Sequence, residues 1–178
     1  MDQSGFYLLP AAVRTWAPLG QPPILREFQT RDHLSAMAGI TPDGELYMMV
    51  QEQAFKGPAV VRFLQHLLQH LPGRLLVIWD GAPIHRSQEV KAFLAAGGAE
   101  RIRLEQLPAY CPDLNPAEGI WKYLKYVELK NVSCQDFSHL RHELRKAKER
   151  LRHKTKVICG CIKQPGFYLY LPVLQSVE

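Results

Sequence analysis

Hydrophobic positions along this chain fall into two rhythms, and the switch between them marks the elements. From Pro58 to Leu71, Val60, Val61, Phe63, Leu64, Leu67, Leu68 and Leu71 recur three and four apart, the spacing of a helix with one buried face. Pro72-Gly73 stops it. Leu75-Leu76-Val77-Ile78-Trp79 follows as an unbroken apolar run between Arg74 and Asp80. A short run with no polar alternation predicts a strand buried on both faces, as in the centre of a mostly parallel sheet. Gly81 and Pro83 break that strand just after Asp80. Arg86 to Ala96 reads as a short helix burying Val90, Phe93 and Leu94, with Gly97-Gly98 as its stop. Ile102, Leu104 and Leu107 then alternate with Arg103, Glu105 and Gln106, which predicts one more strand.

Two helices close the pattern. Asn115 at the N-cap and Pro116 at the first helical position start one that runs from Leu114 to about Leu129 through Ile120, Trp121 and Leu124. A final helix from about Ser138 to Lys154 carries a narrow stripe of Leu140, Leu144, Ala147 and Leu151. The apolar, Pro-containing tail from Gln164 to Glu178 has no assignable pattern.

Ahead of the first helix the chain reads as strands and turns. Thr15-Trp16-Ala17 and Ile24 to Phe28 flank a Pro/Gly-rich turn at Pro18 to Pro23. His33 to Ile40 is small and apolar, Thr41-Pro42-Asp43-Gly44 is a good hairpin turn, and Glu45 to Val50 returns as the next strand. The sum is a single α/β domain over residues 1–178, with an antiparallel meander ahead of parallel strands and helices around them.

Composition narrows the class without naming it. A chain of 178 residues, 47% hydrophobic, can build one real core. No apolar run approaches the roughly 18 residues of a membrane span, and no signal peptide opens the sequence, so a cytoplasmic protein is expected. Cys111, Cys134, Cys159 and Cys161 lack paired CxxC spacing and read as reduced thiols. Cys159-Gly160-Cys161 is at most half of a zinc site, and nothing supplies the other ligands. His66 and His70 stand four apart on the first helix, but with no acidic partner in the stretch they read as a solvated face. A net charge of +5 leans toward an anionic partner. Arg141, Arg145, Lys146, Lys148, Arg150, Arg152, Lys154 and Lys156 crowd the segment 138–156, opposed there by Glu143 and Glu149. Such a cluster neutralises phosphates without reading sequence; the plain reading is a solvated helix face.

Two carboxylates stand out by position. Asp80 falls at the carboxyl end of a predicted central strand, the edge where ligands and catalytic groups collect in open α/β sheets. Glu118 falls in the first turn of a helix, so both can face one crevice. Each has a plain alternative: Asp80-Gly81 is ordinary turn chemistry, and Glu118 completes a capping box with Asn115.

The segments Asp80-Gly-Ala-Pro-Ile-His-Arg-Ser87 and Leu107-Pro-Ala-Tyr-Cys-Pro-Asp-Leu-Asn-Pro-Ala-Glu-Gly-Ile-Trp-Lys-Tyr-Leu-Lys125 resemble the catalytic region of DDE transposases, in particular the bacterial insertion-sequence relatives of the Tc/mariner elements. Asp2-Gln3-Ser4-Gly5-Phe6, with Arg14 to Pro18 and Gly20-Gln21 beyond it, is similar to the segment around that family's first catalytic Asp, although Gln3 stands where an acidic residue is expected. The resemblance runs from Asp2 to about Lys125, and the thirty-odd residues between Asp80 and Glu118 suit the pattern. It implies a ribonuclease-H-like mixed sheet and a catalytic, metal-binding triad of Asp2, Asp80 and Glu118. It implies two Mg²⁺ ions, with Mn²⁺ as a substitute, and DNA cleavage and strand transfer on element ends and target by a nucleoid-associated, dimeric enzyme. Two-ion phosphodiester chemistry needs carboxylates that hold the ions about 4 Å apart, and no nucleophilic side chain. His85 resembles a position near the active site; contact with the scissile phosphate and a structural role in the turn both stay open. Arg86 joins the basic helix as a candidate DNA contact. With only Met1 before Asp2, a truncated first strand is expected, without the helix-turn-helix region that such transposases carry in front. The competing reading is therefore an inactive remnant that binds DNA or only folds.

Overall fold

The computed structural model describes residues 1–22, 24, 32–108 and 111–166. β1 (Asp2–Tyr7), β2 (His33–Ile40) and β3 (Leu46–Gln51) form an antiparallel sheet in that order, with Asp2 opposite Ala38 and Met37 opposite Met49. The predicted Thr41–Gly44 turn joins β2 to β3: Gly44 N–H donates to Thr41 O at 3.0 Å, and Gly44 takes φ +90°. β4 (Leu75–Trp79) and β5 (Ile102–Gln106) pair in parallel, Leu75 opposite Ile102. The two sheets meet where the Met1 amino group donates to Ile78 O at 2.7 Å. The start of β1 therefore lies beside the end of β4.

The helices are α1 (Gly57–His70), α2 (Gln88–Ala95), α3 (Pro116–Tyr123), α4 (Phe137–Arg152) and α5 (Thr155–Lys163). They form two layers with β2 between them. Leu34, Ala36 and Ala38 of β2 pack on Ile120 and Trp121 of α3, Leu144 and Leu151 of α4 and Ile158 of α5. Met37, on the alternate face, packs with Phe63, Leu64 and Leu67 of α1, and the same cluster takes in Val77, Trp79, Val90 and Ile102. The fold is the ribonuclease-H-like α/β arrangement, antiparallel and parallel strands flanked by helices.

Several expectations need correction. β4 is not buried on both faces: Val77 and Trp79 are covered, whereas Leu76 is 59% and Ile78 37% exposed. Only one face of β4 rests on the α1–α2 layer, so an all-apolar run here does not mean two covered faces. The strand covered on both sides is β2, whose Ser35, Ala36, Ala38 and Gly39 are small enough for helices to approach from above and below. Thr15-Trp16-Ala17 is not a strand, and Trp16 is wholly exposed. Both edges of β2 are already paired, and this stretch is tied down instead by a bridge from Ala11 to Lys130 and by Val13 N–H donating to Asn131 Oδ1 at 2.8 Å. The antiparallel meander is accordingly β1-β2-β3. The strand expected at Ile24 to Phe28 lies outside the described residues, except Ile24, as does the tail beyond Gly166.

The Glu118 helix is regular only to Tyr123 and continues as a π-helical turn over Leu124–Glu128. The chain's last described helix is α5, not α4; Val157, Ile158 and Gly160 give it little helical propensity to advertise. Cys159 and Cys161 are packing residues there. Cys161 sits against Gly119 of α3, where an added Cβ would meet Sγ at 2.8 Å. The His66 and His70 rings lie 4.2 Å apart, tilted at 54°, with Tyr47 beside both.

Candidate active site

β1, β4 and α3 each carry one acidic residue to the junction of the two sheets. Asp2 opens β1 and is only 5% exposed. Its Oδ2 accepts the indole N–H of Trp121 at 2.9 Å, a bond across 119 residues of sequence. Burial pushes the Asp2 carboxyl above its ordinary range, the Trp121 bond and the Gln3 amide pull it back, and the Asp80 charge adds to the rise.

Asp80 follows the last residue of β4 and keeps a half-exposed side chain. Its Oδ1 accepts the Ala82 amide at 3.1 Å, the Asp-Gly turn chemistry read from sequence, and also faces His85 Nδ1 at 3.0 Å.

Glu118 stands in the first turn of α3. Asn115 caps that helix, its Oδ1 accepting from Ala117 N–H at 3.2 Å, but the reciprocal half of the capping box is not made: the Asn115 amide donates to Pro112 O at 2.9 Å. Among the described residues the Glu118 carboxylate has no hydrogen-bond or ion-pair partner. Burial raises its pKa and Asp2 raises it further, against Lys122 and Lys125. Asp2 thus feels Asp80, and Glu118 feels Asp2: three carboxylates share one field.

Their oxygens are the hard donors that Mg²⁺ selects, and mutual repulsion is the signature of a place where positive charge is welcome. The donor chemistry fits such an ion. In this conformation, among the described residues, no three His, Cys, Asp or Glu side chains close around one point tightly enough to hold it.

Three neighbours complete the crevice. His85, in a 3-10 turn at Pro83–Arg86, is buried and stacks on Trp79 at 4.1 Å with 4° between ring planes. Burial lowers its pKa, and the carbonyl and carboxylate of Asp80 oppose that without overturning it. Gln3, the odd residue in the first motif, reaches His85 Nε2 through its amide nitrogen at 3.4 Å. Lys125 was missed by sequence reasoning. Its Nζ donates to Ser4 Oγ at 2.7 Å and lies 5.4 Å from the Phe6 ring centre, and burial lowers its pKa against the raising charges of Glu118 and Asp2. The available signal was its place seven residues beyond Glu118, two turns along one helix face.

The basic helix looks different in three dimensions. Arg141 pairs with Glu52, Lys146 with Glu143, and Lys148 and Arg152 with Glu149. Arg150 and Lys154 converge on the nearly covered carboxylate of Glu128 at the end of the π turn. Among the described residues Arg145 has no acidic partner. Arg86 is exposed and donates to Gly81 O at 3.4 Å.

Known proteins share this fold. The family model described as DDE superfamily endonuclease matches residues 1–141. No curated protein matches the sequence significantly. Among solved structures, the mariner Mos1 paired end complex with Mg is similar at 18% identity and a TM-score of 0.60, over 94% of this chain and 55% of that one. The catalytic domain of Mos1 mariner transposase matches at 16% identity and a TM-score of 0.52, over 94% of this chain and 82% of that one. A simian T-cell lymphotropic virus intasome in complex with a PP2A regulatory subunit matches at 15% identity and a TM-score of 0.52, over 99% and 59%. These likenesses establish the fold. The chain spans about half the length of the transposase chains in the Mos1 DNA complexes.

Proposed function

We propose that this chain, which belongs to the DDE superfamily endonuclease family, is a transposase catalytic domain that cuts DNA strands at element ends and joins their 3′-hydroxyls to target DNA. What supports the reading is that Asp2, Asp80 and Glu118 come from three distant parts of the chain, with Asp80 raising the Asp2 carboxyl, Asp2 raising that of Glu118, and Glu118 half-buried and unpartnered among the described residues. A fold does not keep such a set for stability, since each like-charge contact costs free energy.

The three carboxylates would hold divalent cations, Mg²⁺ or Mn²⁺, whose chemistry is to activate the attacking oxygen and neutralise charge on the leaving one. The Mos1 complexes with Mg and with Mn make the same class of ion the natural choice here. The chain's own part is positioning. Trp121 fixes Asp2, the Ala82 amide fixes Asp80, and the N-terminus of α3, capped by Asn115, sets Glu118. Lys125, Arg86 and Arg145 supply positive charge for the DNA backbone. The Mos1 structures are of paired ends and a strand transfer complex, and a dimer on two ends is proposed for this chain by extension.

The test is cleavage of supercoiled DNA by the purified chain with Mg²⁺ or Mn²⁺, beside Asp80→Ala and Glu118→Gln. Cation-dependent nicking, lost by at least about a hundredfold in both variants, supports the reading. DNA binding with no nicking under any cation would favour the competing view, a domain that binds DNA without cutting it.

A further inference from the structure

We propose that His85 is a positioning residue that presents Asp80 to the cation by occupying one of its two carboxylate oxygens, and not a contact to DNA. The inference rests on the reading of Asp80 as a metal ligand given above.

Four observations carry it. The His85 side chain is 2% exposed, so a nucleic-acid backbone in the crevice does not reach it. Its ring lies flat on Trp79 at 4.1 Å, which fixes the ring plane. Nδ1 sits 3.1 Å from the backbone carbonyl of Asp80 and 3.0 Å from Oδ1 of the same residue. A carbonyl oxygen only accepts, so the proton is on Nδ1 and is donated to the Asp80 carbonyl, with Oδ1 in close contact beside it. Nε2 is then bare and accepts from the Gln3 side-chain amide at 3.4 Å. One neutral tautomer satisfies both ring nitrogens.

The consequence falls on Asp80. Among the described residues, Oδ1 takes both polar contacts of the carboxylate, from Ala82 N–H and from His85, and Oδ2 takes none. A carboxylate pinned through one oxygen offers the other to an ion with its side-chain rotation already restricted. Gln3 extends the same chain of contacts back to β1, next to Asp2, so two of the three acidic residues are tied through one imidazole. A merely structural histidine would pack on Trp79 equally well without reaching the carboxylate.

The experiment has two arms on the full chain. In the first, ¹⁵N NMR of the histidine side chains at neutral pH without metal reads the tautomer. The expected result is a protonated Nδ1 and bare Nε2 for His85; the opposite tautomer overturns the proposal whether or not the chain cuts DNA. In the second, Mn²⁺ affinity is measured by calorimetry for wild type, His85→Leu, His85→Gln and His85→Asn. Asn places an amide donor near the Nδ1 position and Gln places it near Nε2. Loss of an outer contact of this kind weakens metal binding by roughly 10–100-fold, so Leu and Gln should fall by that factor and Asn by no more than about threefold. Equal affinity in all four proteins removes His85 from the site while leaving the metal reading intact. A wild type that binds no Mn²⁺ removes the metal reading, and this proposal with it. Should His85→Leu fail to fold, the Asn and Gln pair and the wild-type spectrum still decide.

Discussion

Asp2 puts a negative charge where the protein has almost excluded water, with one side-chain hydrogen bond from Trp121 and a second acid nearby. Its raised pKa means that folding disfavours the ionised form. The stability that protonated Asp2 would contribute is present below the unfolded carboxylate value and lost as pH rises through the higher folded one. Asp2→Asn keeps an oxygen for the indole and removes the charge. The variant should therefore be more stable than wild type at neutral pH in the presence of a chelator, by on the order of 1 kcal/mol, while losing cleavage. Thermal melts at pH 7 and near pH 3.5 check this: the advantage should shrink at the lower pH, and a variant less stable at pH 7 would show that the charge is satisfied. Residues of this kind divide sharply in how far sequence reveals them. The places of Asp80 after a strand and of Glu118 in the first turn of a helix follow from local pattern and were legible. The partners that hold the site, Trp121 on Asp2 and Lys125 on Ser4, act across more than a hundred residues, a distance no periodicity can report.

At the level of elements, Gly119 shows why α5 matters to the site. Alanine is favoured over glycine inside a helix by about 1 kcal/mol, so Gly119→Ala would stabilise α3 in isolation. In the fold its Cβ would stand 2.8 Å from Cys161 Sγ and 3.0 Å from Cys161 Cβ. Overpacking of this sort costs roughly 1–3 kcal/mol, so net destabilisation is expected, with partial rescue by Cys161→Ala in a double-mutant cycle. Additive effects would mean that the helices move apart freely. Glu128, between the π turn and α4, gives a pH test of the opposite sign to Asp2. Burial raises its pKa, but the Lys154 and Arg150 bonds outweigh burial and hold it low. Its contribution is then present above the unfolded value of about 4.3 and lost as pH falls through the lower folded value. Glu128→Gln should lower the melting temperature at pH 7, and the gap to wild type should close in acid; a gap constant with pH would make the contact one of shape alone. Helix α1, the Thr41–Gly44 turn and β5 were readable because their signals are local. β4 misled because an apolar run reports hydrophobicity and not how many layers lie against it. β2 hid its central place behind small residues, and α5 hid behind β-branched ones.

The whole molecule carries a net charge of +5, and what decides DNA binding is which positive charges are uncommitted. On α4, sequence offered six cations as equals, yet five have carboxylate partners and, among the described residues, Arg145 has none. Exposed ion pairs are worth little to stability, but a cation already beside a carboxylate neutralises a phosphate less effectively. Removing it also leaves a negative charge facing the DNA. Taking one cation away from the phosphate backbone should reduce the slope of log K against log salt by about one. Arg145→Ala is expected to lower affinity and flatten that slope. Arg150→Ala should leave the slope near wild type and instead destabilise the fold, since it strips a partner from the nearly covered Glu128. Lys125→Ala should lower affinity less than Arg145→Ala and add a loss of cleavage, because Lys125 stands beside Glu118 and Asp2. Binding isotherms on a short duplex across a salt series, run beside thermal melts of the same variants, separate the three outcomes. Equal slopes for Arg145→Ala and wild type would take α4 out of the DNA surface and leave the positive charge around the acidic crevice as the part of this protein that meets DNA.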